Sequence, residues 1–166
     1  MTLEDEEILL REPTEEDVAA ITEACQDPEI PRWTRVPSPY TEDDARTWLA
    51  MTGEDRFLVV DRKTGELLGG VGLRPDGEGA AEIGYWVKRE ARGRGVAPKA
   101  VRLLSEWGLH ERGLARISLM TEPENTASQR VAEKAGYRRE GLLRSWMELK
   151  GARRDFVMFS LVPEDL

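Results

Sequence analysis

One cysteine, Cys25, and one histidine, His110, occur among 166 residues. A lone cysteine excludes an internal disulfide framework. Without a nearby histidine, Cys25 reads as a small buried apolar residue rather than a nucleophile. His110, near a predicted helix end, reads as structural. No His, Cys or carboxylate spacing suggests a metal site, so no metal is expected. Long apolar runs are missing as well. None approaches the roughly 18 to 20 residues of a membrane span, and Met1 to Glu7 is acidic, without the order of a secretory signal. A cytoplasmic protein with no membrane partner is the expectation. Basic charge is short too: 24 Lys and Arg stand against 32 Asp and Glu, a net charge of -8. That balance excludes a duplex nucleic-acid binder, which needs a basic footprint against phosphates. It is compatible with a cationic partner, or with solubility alone. Internal repeats, low-complexity tracts and linkers are absent, so residues 1–166 are expected to form one domain around one core.

What is present is a regular succession of elements. Ile8 to Glu12 reads as a strand. Thr14, followed by Glu16 and Asp17, starts a helix that runs to about Cys25, with an acceptor at the cap and acids in the first turn. Asp27 to Tyr40 holds Pro28, Pro31, Pro37 and Pro39 and is expected to be an irregular, proline-stiffened loop carrying Trp33 and Tyr40. A second helix runs from Thr41 to about Met51. Arg56–Asp61 and Glu66–Arg74 form a hairpin around Lys63-Thr64-Gly65, and Ala81–Lys88 adds a third meander strand. Val96 to about Arg112 has helical apolar spacing and closes at Gly113. Arg116–Thr121 is a strand, Asn125–Ala135 a helix ending at Gly136. Glu140–Leu149 and Asp155–Val162 are final strands around Lys150-Gly151. The order predicts an α+β, or mixed α/β, fold with about six to seven strands and about four helices.

One stretch opposes the overall charge. Lys88 to Arg102 carries six basic residues (Lys88, Arg89, Arg92, Arg94, Lys99 and Arg102) and one acid, Glu90. A solvated helix face is the usual fate of such a run. Inside it, however, lies Arg92-Gly93-Arg94-Gly95-Val96-Ala97, between a strand and a helix. Glycines let a backbone approach a ligand closely. Amides at a helix N-terminus point at an anion that the helix dipole favours, and Arg92 and Arg94 add charged donors. The combination suits a pyrophosphate. The dinucleotide fingerprint and the P-loop are excluded, because their glycine spacing and Gly-Lys-Ser/Thr ending are absent. An ordinary glycine loop capping a helix is the competing reading.

The hexapeptide resembles the signature Gln/Arg-x-x-Gly-x-Gly/Ala of the GNAT superfamily, with Arg92 first, Gly95 fourth and Ala97 sixth. Asn125 to Tyr137 (N-T-A-S-Q-R-V-A-E-K-A-G-Y) resembles that family's later N-x-x-S/A…K-x-G-F/Y block, and A-E-I-G-Y-W-V looks like its fourth strand. The finer likeness is to the RimJ/RimL-like branch of N-terminal acetyltransferases and its small-molecule relatives. The resemblance implies a mostly antiparallel central sheet whose fourth and fifth strands splay apart, with acetyl-CoA as co-substrate. Residues Arg92 to Ala97 would bind the pyrophosphate, and backbone groups of Tyr85, Trp86 and Val87 the pantetheine arm. Asn125 would contact the arm or the thiol. A primary amine, either a protein N-terminus or a small molecule, would accept the acetyl group. A homodimer is compatible with the likeness, since dimers are common among Rim-type relatives.

For chemistry, the resemblance implies removal of a proton from an amine of pKa near about 10, then protonation of a thiolate. Glu82, at the start of the fourth strand, is the candidate base, since burial raises a carboxyl's pKa. A solvent-facing strand glutamate is the alternative, and Glu148 is a second candidate. The family's usual tyrosine acid is replaced by Ala132. Tyr137 reads as core, and Ser128, one helical turn from Asn125, is the candidate acid. Trp33, Tyr40 and Trp146 are expected to line the acceptor slot, or else to anchor the loop. Asp27, Glu29, Glu42, Asp43 and Asp44 would attract a cationic amine, although the last three also suit a helix start. A non-catalytic acyl-CoA-binding sensor remains the alternative from another class.

Overall fold

The computed structural model describes all residues, Met1–Leu166. Its elements follow the predicted order with two additions. A short strand β1 (Thr2–Glu4) precedes β2 (Ile8–Arg11), and the proline-rich loop contains a helix. A 3-10 turn leads into α1 (Val18–Ala24). Next come α2 (Glu29–Trp33), α3 (Glu42–Ala50), β3 (Asp55–Asp61), β4 (Leu67–Pro75), β5 (Ala80–Val87), α4 (Val96–His110), β6 (Arg116–Thr121), α5 (Thr126–Lys134), β7 (Arg138–Leu149) and β8 (Ala152–Leu161). The expectation of an irregular Asp27–Tyr40 segment is corrected at α2. Pro28 and Pro31 fall in its cap and first turn, where a helix needs no N–H from them. The other helix starts follow their signals: Thr41 Oγ1 accepts from the Asp44 amide while the Asp44 carboxylate accepts from the Thr41 amide, a reciprocal cap.

All eight strands join one sheet in the order β1-β2-β3-β4-β5-β6-β8-β7. Every pairing is antiparallel except β5 with β6. Alternation along β3 assigns the two faces. Phe57 and Val59 join the larger core with Val101 and Leu104 of α4, while Leu58 and Val60 join the smaller core with Val18, Ile21 and Ala45 of α1 and α3. Leu104 and Leu58 are fully buried. Burying such side chains contributes about 1.5–3 kcal/mol each, so both faces of the sheet are covered by apolar packing. The final two strands form one long hairpin, with register irregularities at Arg139–Gly141 and Leu143–Met147.

The departure from a continuous sheet lies at its parallel seam. β5 and β6 pair only at Ala80–Arg116, Ala81–Ile117 and Glu82–Ser118, although β5 continues to Val87 and β6 to Thr121. These are the predicted fourth and fifth strands, moved up one number by β1. Beyond Glu82 they diverge, leaving one edge of β5 without a strand partner while its other edge stays paired with β4 through Gly69–Val87.

Candidate functional site

The opened seam leads into a cavity of about 890 Å³, near the upper end of the usual range for ligand sites. Its walls come from both faces of the sheet. Residues Arg92, Gly93, Gly95, Val96, Ala97, Asn125 and Ser128 bound one end; Trp33, Arg35, Trp48, Arg56, Arg74 and Glu82 bound the other. Between them run Gly84, Tyr85, Trp86 and Val87 of β5.

At the first end the exposed feature is the backbone. Gly93 and Gly95 have φ of +75° and +73°, left-handed values that favour glycine, and Gly95 is the N-cap of α4. None of the amides of Gly93, Arg94, Gly95, Val96 or Ala97 donates to another group of the chain. Pro98, which has no amide, sits in the first helical turn at no cost in hydrogen bonds. A nest of free amides at a fifteen-residue helix start is suited to a pyrophosphate.

The basic island around this nest is less free than its composition implies. Arg92 lies 2.6 Å from Asp27 and also donates to the Val87 carbonyl. Arg94 is 3.6 Å from Asp61, Lys88 pairs with Glu66, Lys99 with Glu7, and Arg102 with Glu106. Five of the six cations therefore have carboxylate partners; only Arg102–Glu106 is a local i,i+4 pair, and the other four partners are distant in sequence and leave no local pattern. Exposed Arg130 and Lys134 of α5, by contrast, line the same end without a carboxylate partner. They stand in the quoted Asn125–Tyr137 block, where their spacing on one helix face was the available signal.

Alternation along β5 sends Ile83 and Tyr85 toward the larger core and Trp86 toward the smaller one. The indole of Trp86 lies against Gly70, where a Cβ would meet its Nε1 at 2.6 Å. Tyr85 Oη is 2.8 Å from Ser128 Oγ, and burial pushes the phenol up to about 12, with the serine bond opposing. Sequence reasoning assigned Tyr85 through its backbone only. The side-chain pair joins residues 43 positions apart and had no local signal. Asn125 caps α5 through its side chain, which accepts from the Ser128 amide at 3.2 Å. Ala132 is fully buried, and Tyr137 is core, its hydroxyl 2.7 Å from Ser105 Oγ.

Glu82 lines the cavity with 29% of its side chain exposed. Burial holds its carboxyl above the usual range, opposed by the charge of Arg35. Arg35 and Arg74 each stand 3.9 Å from its Oε2. Glu148 is exposed on β7, in register with Arg153, and lies outside the cavity walls. Trp33 lines the acceptor end, under the Arg32 guanidinium at 4.5 Å. Tyr40 borders the cavity but is 92% buried in the smaller core, where it anchors the loop. Trp146 is half exposed and outside the walls, since the irregularity at Leu143–Met147 turns Met147 inward instead.

Of the acids expected to attract a cation, Glu29 and Asp44 line the cavity, whereas Asp27, Glu42 and Asp43 lie outside its walls. Asp27 holds Arg92, Glu29 accepts from Trp33 Nε1, Glu42 and Asp43 face Arg46, and Asp44 caps α3. Cys25 borders the cavity but is buried, and burial pushes its thiol up to about 12, so it stays protonated and non-nucleophilic. His110 is exposed at the end of α4. No group of three His, Cys, Asp or Glu side chains comes together as a metal site, and no helix is long and apolar enough to cross a membrane.

Comparison with known proteins agrees with this geometry. The family described as Acetyltransferase (GNAT) domain matches residues 7–138. An uncharacterized N-acetyltransferase, p20, of Bacillus licheniformis is 32% identical, over 99% of this chain and 97% of its own length. The structure resembles that of a GNAT-family acetyltransferase from Bacillus anthracis, with a TM-score of 0.90, 28% identity and 99% of each chain covered. A similar fold is seen in the RimL ribosomal L7/L12 α-N-protein acetyltransferase solved with coenzyme A, at a TM-score of 0.88, 18% identity and 100% of each chain.

Proposed function

The chain belongs to the GNAT acetyltransferase family, and from that premise we propose that it transfers an acetyl group from acetyl-CoA to a primary amine by direct attack in a ternary complex. The observation that carries the proposal is the free edge of β5, which begins where pairing with β6 stops at Glu82 and runs toward the unbonded amides of Gly93 to Ala97. An extended ligand arm can pair with that edge as an added strand does, while its pyrophosphate meets the amide nest. Arg130 and Lys134 add charge at the same end. The residues present thus fit acetyl-CoA. The RimL neighbour, solved with coenzyme A, favours the same cofactor here. Because all eight strands form one sheet, residues 1–166 are taken as one acetyltransferase domain.

Acetyl-CoA supplies a thioester carbonyl and a thiol leaving group. The chain supplies the proton handling. Glu82, ionised, takes a proton from the substrate ammonium, directly or through one water, and the neutral amine so formed attacks the thioester carbonyl. Its raised pKa brings it nearer to the amine's, which makes the transfer less unfavourable than to an ordinary carboxylate. A backbone amide on the free edge of β5 stabilises the developing oxyanion. Ser128, with Tyr85 behind it, donates a hydrogen bond to the departing sulfur. An alkyl thiol ionises near about 8.5, far below the Tyr85 phenol at about 12. The pair therefore stabilises the thiolate by hydrogen bonding; of the two protons the nitrogen loses, the one taken by Glu82 before attack goes to solvent, and the one lost after attack passes through water to the thiolate.

The first test is calorimetric titration of acetyl-CoA, with adenosine diphosphate and NADH as controls. Selective micromolar binding that weakens in Gly95→Glu supports the proposal; no binding sinks it. A panel of amines then separates an enzyme from an acyl-CoA-binding sensor, which would bind the thioester and acetylate none of them.

A further inference from the structure

The acceptor end of the cavity holds a feature that an amine and a thioester do not use. Arg56, at the start of β3, lines it with only 8% of its side chain exposed. Its Nη2 donates to the Met51 carbonyl, and its guanidinium stands 5.7 Å from the ring of Trp48. Its Nε and Nη1 are buried and make no hydrogen bond. The nearest carboxylate, Glu54, is 3.7 Å from Nη1 but is also committed to Arg74 at 2.7 Å. Glu82 is shared between Arg35 and Arg74 at 3.9 Å each. Arg35, Arg56 and Arg74 thus share Glu54 and Glu82, while the other two carboxylates of the chamber, Glu29 and Asp44, accept from Trp33 and Thr41 instead, and Glu82, as the base, becomes neutral during turnover. A buried guanidinium with two unpartnered nitrogens is costly unless a partner arrives. Its planar fork fits a carboxylate or phosphate better than any other partner.

We propose that the accepted amine belongs to a molecule that also carries a carboxylate or phosphate, and that Arg56, supported by Arg74 and Arg35, binds this anion while the amino group faces Glu82. This rests on the acetyl-transfer reading of the site and narrows it.

The test compares matched amines with and without the anion: β-alanine against its amide, 2-aminoethyl phosphate against ethanolamine, and a peptide amide beginning with aspartate against one beginning with asparagine. Each is titrated into the protein saturated with coenzyme A, which reads binding without turnover. In at least one pair the anionic member is expected to bind about ten- to a hundredfold tighter, the scale of a charged hydrogen-bonded pair. Whether the carboxylate or the phosphate pairs respond identifies the anion. Arg56→Gln should reduce the preference below threefold, with acetyl-CoA affinity retained as evidence of folding. Should that variant not fold, Arg56→Lys and Arg74→Gln are read instead. Equal binding within every pair, or a preference that survives these substitutions, overturns the proposal. An anion preference with no amine acetylated would keep the anion site and sink the acetyl-transfer reading.

Discussion

The two ends of the cavity present different groups to a ligand. At the α4 end these are backbone: two left-handed glycines and five amides without partners in the chain. At the acceptor end they are side chains: Arg35, Arg56, Arg74 and Glu82 arrive from a loop and from three strands. A backbone site requires glycines at fixed spacing, so it leaves a mark in a short stretch of sequence. A side-chain site needs only residues that the fold later brings together, and it leaves none. The first kind can hold one cofactor in many relatives while the second varies with the acceptor.

This contrast predicts unequal effects of substitution. The largest belongs to Glu82→Gln, which removes the proposed base but keeps the shape. The rate constant kcat should fall about a hundred- to ten-thousandfold, the range for losing general base catalysis, with acetyl-CoA affinity unchanged. In the parent protein kcat/KM should rise with pH through a limb displaced above the ordinary carboxylate range, because burial raises the Glu82 pKa. The base must be ionised, so activity is lost as pH falls through that limb, and the limb should vanish in the variant. A pH profile unchanged by Glu82→Gln would transfer the role to another group.

At the other end, Gly95→Glu should weaken acetyl-CoA about a hundredfold, by calorimetry. The φ of +73° strains any side chain, at about 1–2 kcal/mol, and the new carboxylate competes for the amides meant for the pyrophosphate. Arg92→Gln should cost far less, because Arg92 is already neutralised by Asp27 at 2.6 Å. If the arginine mattered more than the glycine, the view of a backbone-built cofactor end would fail.

Tyr85 and Ser128 sit where the two ends meet. Ser128→Ala and Tyr85→Phe should each lower kcat about tenfold, as expected for one lost hydrogen bond of about 1–1.5 kcal/mol. The double variant should be little worse than either, because the hydroxyls 2.8 Å apart act in series. Additive losses would show two independent roles.

Legibility follows the same division. The order of elements, the cap at Thr41, the amide nest and the break beyond Glu82 all trace to local spacing or to the resemblance, and the structure carries them. The short strand Thr2–Glu4 was missed because three residues give no periodicity. Helix Glu29–Trp33 was missed because its prolines sit where helices tolerate them. The charge pattern misled at both ends. Arg92 and Arg94 looked free and are paired, whereas Asp27 looked like an amine attractor and serves Arg92 outside the cavity walls. Ion pairs between distant segments are not written in the local sequence, and neither is Arg56, whose neighbours Phe57 to Val60 read simply as a strand.

The smallest effect tests whether the acceptor end is held from outside itself. Lys150, in the turn of the long hairpin, donates to the Pro31 carbonyl and to the Val36 carbonyl, the latter at 2.7 Å. Those carbonyls flank Trp33 and Arg35, so the hairpin tip fixes the loop from which both residues reach the cavity. No comparable tie runs from Lys150 to the α4 loop. Lys150→Met keeps the apolar stem and removes both donors. The KM for the amine should rise about three- to tenfold, a net cost the size of one ordinary hydrogen bond because the loop keeps its other contacts, while acetyl-CoA affinity and kcat move less than twofold. A parallel loss of acetyl-CoA affinity would mean that the two ends are one mechanical unit. An unchanged KM would mean that the smaller core, through Tyr40 and Ile30, holds the loop without the hairpin.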